Sequence, residues 1–275
     1  MGVTSSYDPA RIASSLAGFV RRHDPDRFLT SLFAPPDRRE ALFAPPAKRE
    51  ALFALYAFNH ELARARETVS EAPLALIRLQ WWREVVEGAR RRHEVAEPLG
   101  AFIDAGALRR DDLLGVIQAR EIEAEPAIET SREWHDYLQA GAGGLAVAAA
   151  RLLGATDPEQ FRPYGAAFGL AGLLRSVGAH ARQGRCLLPV DLLAEQHLST
   201  DQVIADPRAA RGVIAELAHE GLRLLQHTRL SRALVAAALP GVLARRDLRQ
   251  APLFSRPRGI ADRLVVTWVG LSGRI

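Results

Sequence analysis

The chain has 275 residues, 48% of them hydrophobic and 25% charged, enough for one large domain or two small ones with a true core. The formal net charge is only +4, and Lys48 is the sole lysine. With no recognition-helix pattern and no aromatics interleaved among the arginines, this balance argues against nucleic acid as a partner. The single cysteine, Cys186, excludes an internal disulfide and a multi-thiolate zinc site, and reads as a small buried residue.

The stretch before Asp24 lacks an apolar core of secretory-signal length, and no run of about 18 apolar residues occurs anywhere. The expected location is therefore cytoplasmic, at most peripheral on the inner face of the cell membrane. Apolar residues recur at helical spacing almost throughout, and no run alternates β-branched residues, so the predicted class is all-α in a single domain over 1–275.

In chain order, a first helix is predicted over 8–22, ended by the turn-forming HDPD. LFAPPDRREA at 32–41 is then repeated as LFAPPAKREA at 42–51. Two copies are too few for a solenoid, and Pro35-Pro36 and Pro45-Pro46 each break a helix, so a local duplication in which one copy loops out is expected. A long helix follows from about Ala47 to Val69, and another from Leu74 to about Arg92. Trp81 and Trp82 in the latter cannot both face one core; one packs inward and the other against a neighbouring helix. Further helices are expected at 97–106, 111–123, 130–153, 157–182, 208–228 and 230–248. A last amphipathic piece at 259–272 follows a break at APLFSRP, 251–257. GAGGLAVAAA at 141–150 is built of small residues, for close helix packing or for lining a cavity without filling it.

Two stretches carry polar residues on faces that should point inward. In YAFNHELARARE, 56–67, the residues His60, Glu61, Arg64 and Glu67 recur at near-helical spacing, which reads either as surface pairing or as a functional face. In AGLLRSVGAHARQGRCLLP, 171–189, Arg175, Gly178 and Arg182 share a helical face, with Arg185 close by. Gly184 offers a helix stop and Pro189 blocks immediate resumption. A helix end with several arginines and no carboxylate is either a solvated basic face or a site for an anion such as a phosphate. No P-loop, GxSxG, HExxH or strand-preceded GxGxxG is present.

In their order and rough spacing, YAFNHELARARE, LQWWREVVEG, YLQAGAGG and LLRSVGAHARQGRCLLP resemble the squalene/phytoene synthase family, over about residues 26–250. The resemblance implies an isoprenoid-synthase-type helical bundle around a central cavity. It also implies the head-to-head joining of two prenyl diphosphates, with Mg²⁺ held by two Asp-x-x-x-Asp motifs on facing helices. That design follows from chemistry: Mg²⁺ bridges each diphosphate to carboxylates, and an apolar pocket shelters the carbocation. Here the first motif falls on Ala63 and Glu67 and the second on Ser176 and His180, while the amide positions before the second fall on Gly169 and Gly172. One carboxylate of four remains, so Glu67 is the sole, weak metal candidate. What the resemblance leaves for a substrate or its phosphates is Arg49, Tyr56, Tyr137, Arg175, Arg182 and Arg185.

FNHELARARETVSE and RLQWWRE are more similar to a divergent branch of the family, which includes assembly factors for respiratory complex I. The branch implies a peripheral role at the inner membrane in building NADH:ubiquinone oxidoreductase, without prenyl transfer. The expected function is thus a degenerate family member that needs no cofactor, binds an isoprenoid diphosphate or lipid tail, and has a complex I subunit as partner. The alternative is an active Mg²⁺-dependent squalene- or phytoene-type transferase. The segment IADRLVVTWVGL, 260–271, either rests on a bilayer surface beside Arg263 or packs as the last core helix.

Overall fold

From Ala51 to Phe58 the chain offers no polar side chain except the Tyr56 hydroxyl, so this stretch has to be enclosed on every side. A computed structural model of the chain shows how. It describes residues 9–35, 48–69, 71–225, 229–251 and 258–275. Helix α3 (Lys48–Glu67) is surrounded by α1 (Pro9–His23), α4 (Ala72–Glu87), α5 (Ala96–Asp104) and α8 (Gly144–Leu153). Ala51 to Asn59 are all buried.

The second organising element is α9 (Arg162–Arg182), 21 residues long. It packs on α12 (Arg211–Leu224), α13 (Val235–Leu248), α8, and a π-helical turn at Gln139–Gly143. Around these lie α2 (Pro25–Ser31), α6 (Arg110–Arg120), α7 (Ser131–Leu138), the short α10 (Val190–Glu195) and α11 (Thr200–Ala205), and the final α14 (Ile260–Ser272). One apolar core runs through them all. Trp134 is fully buried within it, and its indole N–H donates to the Leu187 carbonyl at 2.9 Å, so the large ring brings no unmet donor into the interior.

The all-α class holds, and among the described residues no strand forms, only an isolated bridge between Arg229 and Arg274. Trp82 is buried edge-on to Phe58, while Trp81 stands perpendicular to Trp82 and reaches His93. Helix α9 ends at Arg182, with Gly184 at a φ of 68°. Three details differ from the sequence reading. The predicted helix 130–153 is interrupted by the π turn, where one extra residue is accommodated beside the site described below. The helix expected at 230–248 starts only at Val235; ahead of it the Leu230 N–H donates to the Gly273 carbonyl at 2.9 Å. Residues 25–31, 190–195 and 200–205 form short helices that periodicity is too brief to announce. Most of the tandem repeat, at 36–47, and the break at 252–257 lie outside the described residues.

Candidate functional site: a polar cleft between two long helices

Helices α3 and α9 bring one face each to a shared cleft of about 250 Å³. On α3 the lining residues Asn59, Ala63 and Glu67 follow the helical repeat, with His60 beside them. On α9 they are Phe168, Gly169, Gly172, Ser176 and His180. The four positions that correspond to the two acidic motifs, Ala63, Glu67, Ser176 and His180, therefore all line one cleft. Tyr137 from α7, Gly141 and Ala142 from the π turn, Arg120 from α6 and Arg27 from α2 complete the wall.

Glycine sets how closely that wall is drawn. A Cβ on Gly165 would stand 2.2 Å from the Ala142 carbonyl oxygen, and one on Gly169 would stand 2.5 Å from the Ala142 Cβ. Both are too close for any larger residue, so α9 rests directly on the π turn. One turn further on, nothing lies within 4 Å of a Cβ at Gly172, and there the cleft opens.

The polar heart of the site is a buried network. Glu123, 6% exposed, accepts from Arg120 and from the Tyr137 hydroxyl. Arg120 also donates to the Asn59 Oδ1 at 3.3 Å and lies 3.4 Å from the Tyr137 oxygen, while its own Nε is buried with no partner among the described residues. Burial opposes the charge of Arg120, but Glu123 and Tyr137 outweigh it and hold the pKa above its ordinary value. Burial, reinforced by Glu123, pushes the Tyr137 phenol up, so it stays protonated. Arg27 is clamped by Asp24, which caps α2 through Oδ1 and pairs with the guanidinium through Oδ2 at 2.8 Å. Its guanidinium lies over the rings of Tyr56 and Phe168, 5.4 and 4.8 Å from their centroids.

Burial disfavours the charged form of both histidines of the cleft. Burial, with His23 and Arg64 nearby, lowers His60 to about 4. Burial and Arg185 lower His180. The His60 ring stacks on His23 at 4.7 Å, and its Nε2 is buried without a partner among the described residues.

The predicted arginines do not converge. Arg185 does approach the network, donating to the Glu123 carbonyl at 3.1 Å. Arg49 is turned to the end of α2, where it donates to the carbonyls of Leu32 and Ala34. Arg175 reaches away to Asp247 of α13 at 3.3 Å, and Arg182 is exposed at the helix end. Tyr56 is buried behind the cleft under Arg27, and burial pushes its phenol up to about 12. The sequence alone does not single out Arg27, Arg120, Asn59 and Asp24, which line the cleft, or Glu123 behind them. Only Asn59, inside the YAFN motif, carried a signal.

The lining does not fit Mg²⁺. Such an ion needs several oxygen ligands, at least one or two of them carboxylates. Asp24 is already used by Arg27, Glu67 sits at the exposed rim, and Ser176 and His180, neither a carboxylate, occupy the facing helix. Among the described residues no three His, Cys, Asp or Glu side chains are placed to hold a metal.

An all-α bundle with two long helices facing across a cleft walled by small residues is an isoprenoid-synthase-type fold. It superposes on a dehydrosqualene synthase crystallised with a ligand, with a TM-score of 0.70 and 16% identity over 96% of this chain and 98% of that one. A squalene synthase from Alicyclobacillus acidocaldarius gives 0.61 and 15%, covering 96% and 95%. The squalene/phytoene synthase profile matches residues 41–251, and the chain belongs to that family. Within it, the chain is 27% identical over 235 residues to the Mus musculus NADH dehydrogenase (ubiquinone) complex I, assembly factor 6, covering 82% of this chain and 68% of the mouse protein.

Proposed function

We propose that this protein is a family member that has left Mg²⁺-dependent prenyl transfer. In this reading it acts in the assembly of a complex I-type NADH:quinone oxidoreductase, at the inner face of the membrane, and uses the cleft to hold the head group of an isoprenoid or lipid. One observation carries the reading. The two motif-bearing faces still meet across a single cleft, yet Ala63, Ser176 and His180 supply no carboxylate, and arginines stand in the wall instead. Without bridging metal ions, the ionisation of a diphosphate would have little assistance. Arg120, fixed by Glu123 and Tyr137, together with Arg27 offers fixed N–H donors of the kind that bind phosphate oxygens. The likeness to the mouse assembly factor supports the assembly role.

The size of the cleft points the same way. At about 250 Å³ it lies below the roughly 300–1,000 Å³ of pockets that enclose a drug-sized ligand. It has room for a head group and the first carbons of one chain, not for two prenyl tails side by side.

Purified protein given farnesyl or geranylgeranyl diphosphate is expected to bind it equally with and without Mg²⁺ and to release no pyrophosphate. Mg²⁺-dependent pyrophosphate release that Glu67→Gln abolishes would restore the transferase reading. In cells, deletion is expected to lower NADH-dependent quinone reduction and leave hopanoids or carotenoids intact. Loss of those isoprenoids with reduction unchanged would overturn the assembly role.

A further inference from the structure

Helix α14 is apolar on two opposite faces. The inner face, Val266, Val269 and Gly270, is buried, with Gly270 close against the Phe33 ring. The outer face carries Ile260, Leu264, Trp268 and Leu271, which are 76, 64, 72 and 59% exposed. At about 100° per residue these four fall within one narrow stripe along the helix. A packed surface helix ordinarily turns charged residues outward, so the stripe is not explained by folding.

The charges around it select the occupant. The acid of this helix, Asp262, is only 5% exposed, caps Gly259 and pairs with Arg246 at 2.6 Å, so it gives the outer face no negative charge. Arg263 borders the stripe, and Arg274 follows the end of the helix, bridged to Arg229, with Arg232 three residues beyond. All four are exposed, and none makes an ion pair among the described residues. With 13 residues, α14 is too short to cross a bilayer, and among the described residues no helix is long and apolar enough to do so. An apolar stripe that carries a tryptophan, with Arg263 at its border, unpaired arginines past the end of the helix and no exposed acid on the helix, is the pattern of a helix lying in a lipid headgroup layer.

We infer that α14 is the surface on which this protein rests on an anionic bilayer, with Ile260, Leu264, Trp268 and Leu271 in the headgroup–acyl boundary and the four arginines on lipid phosphates. This contact depends neither on the cleft's ligand nor on an assembly partner.

The test is co-sedimentation of the full chain with vesicles of phosphatidylcholine alone or with about one third phosphatidylglycerol. Binding is expected only to the anionic vesicles and should weaken with added salt. Arg263→Gln with Arg274→Gln should weaken it about 25-fold, at roughly fivefold per basic residue. Leu264→Gln with Trp268→Gln should weaken it at least tenfold. These side chains are exposed, so both double variants should melt with the wild type. Failure of the wild type to sediment would overturn the inference, as would double variants that bind as the wild type does. It would also fall if the wild type were a dimer in solution that Leu264→Gln/Trp268→Gln converts to a monomer, because the stripe would then be a seam between two copies. None of these outcomes bears on diphosphate binding in the cleft.

Discussion

Exchanging glycine for alanine at two positions of α9 tests the packing that sets the cleft. At Gly165 the new methyl would meet the Ala142 carbonyl oxygen at 2.2 Å and the Ala146 Cβ at 2.6 Å. The first is backbone in the π turn and cannot rotate away, so α9 must lift from it. Overpacking of this kind costs about 1–3 kcal/mol, and a backbone oxygen puts it at the upper end. The better helix propensity of alanine returns somewhat less than about 1 kcal/mol. A net loss of about 2 kcal/mol is expected. At Gly172, seven residues on, nothing lies within 4 Å, so only the propensity gain remains, about 0.5–1 kcal/mol. The same chemical change should thus move stability in opposite directions, with the two variants about 3 kcal/mol apart. Urea unfolding followed by far-ultraviolet circular dichroism reads this directly. For a chain of this size each kcal/mol is worth roughly 2–4 °C in Tm. If Gly165→Ala proves as stable as the wild type, or both variants shift alike, the close seating of α9 on the π turn is wrong.

The buried network should be costly to break. Glu123→Gln leaves the Arg120 charge buried without its counter-ion, and a loss of about 3–5 kcal/mol is expected in urea midpoints; Tyr137→Phe, which removes one neutral hydroxyl, should lose nearer 1 kcal/mol. The histidines predict a pH dependence with a definite sign. Folded His60 titrates near 4 and the unfolded side chain near its ordinary 6.5, so its contribution is complete above about pH 6.5 and is lost as pH falls towards 4. His180 acts in the same direction. Urea midpoints should therefore drop between pH 7 and 4.5, less steeply in His60→Gln; an equal slope in the variant counts against a neutral His60. Asp247→Asn should destabilise by about 1–3 kcal/mol, since Asp247 serves both Arg258, which it shares with Asp26 of α2, and Arg175; a melting temperature unchanged within error would show that this network contributes nothing. Millimolar Mg²⁺ should leave the melting temperature of the wild type unchanged, and a rise that Glu67→Gln removes would mean that the rim does bind the ion.

Much of this molecule is legible in its sequence. Helical spacing placed α3, α4 and α9 and the end of α9 at Gly184, because each depends on neighbours within a turn or two. The family motifs put Ala63, Glu67, Ser176 and His180 at equivalent positions, and a shared bundle geometry then makes those positions meet. The arginines were another matter. Periodicity gives the face a residue occupies on its own helix but not what stands opposite that face. At about 100° per residue, Arg175 and Arg182 lie roughly a third of a turn away from Ser176 and His180, and that face of α9 meets Asp247 of α13 or solvent. Arg27 and Arg120 belong to short helices distant in sequence from both motifs, and only the docking of α2 and α6 brings them into the wall.

The sequence by itself determined that the chain is a helical bundle of this family and that its metal-binding acids are largely gone, since both follow from residue identity and local spacing. The tertiary structure alone decided which cations face the cleft, how small the cleft is, and that α14 turns an apolar stripe outward. Each of these depends on which surfaces meet across elements far apart in the chain, and the periodicity of a single helix carries no record of its partners.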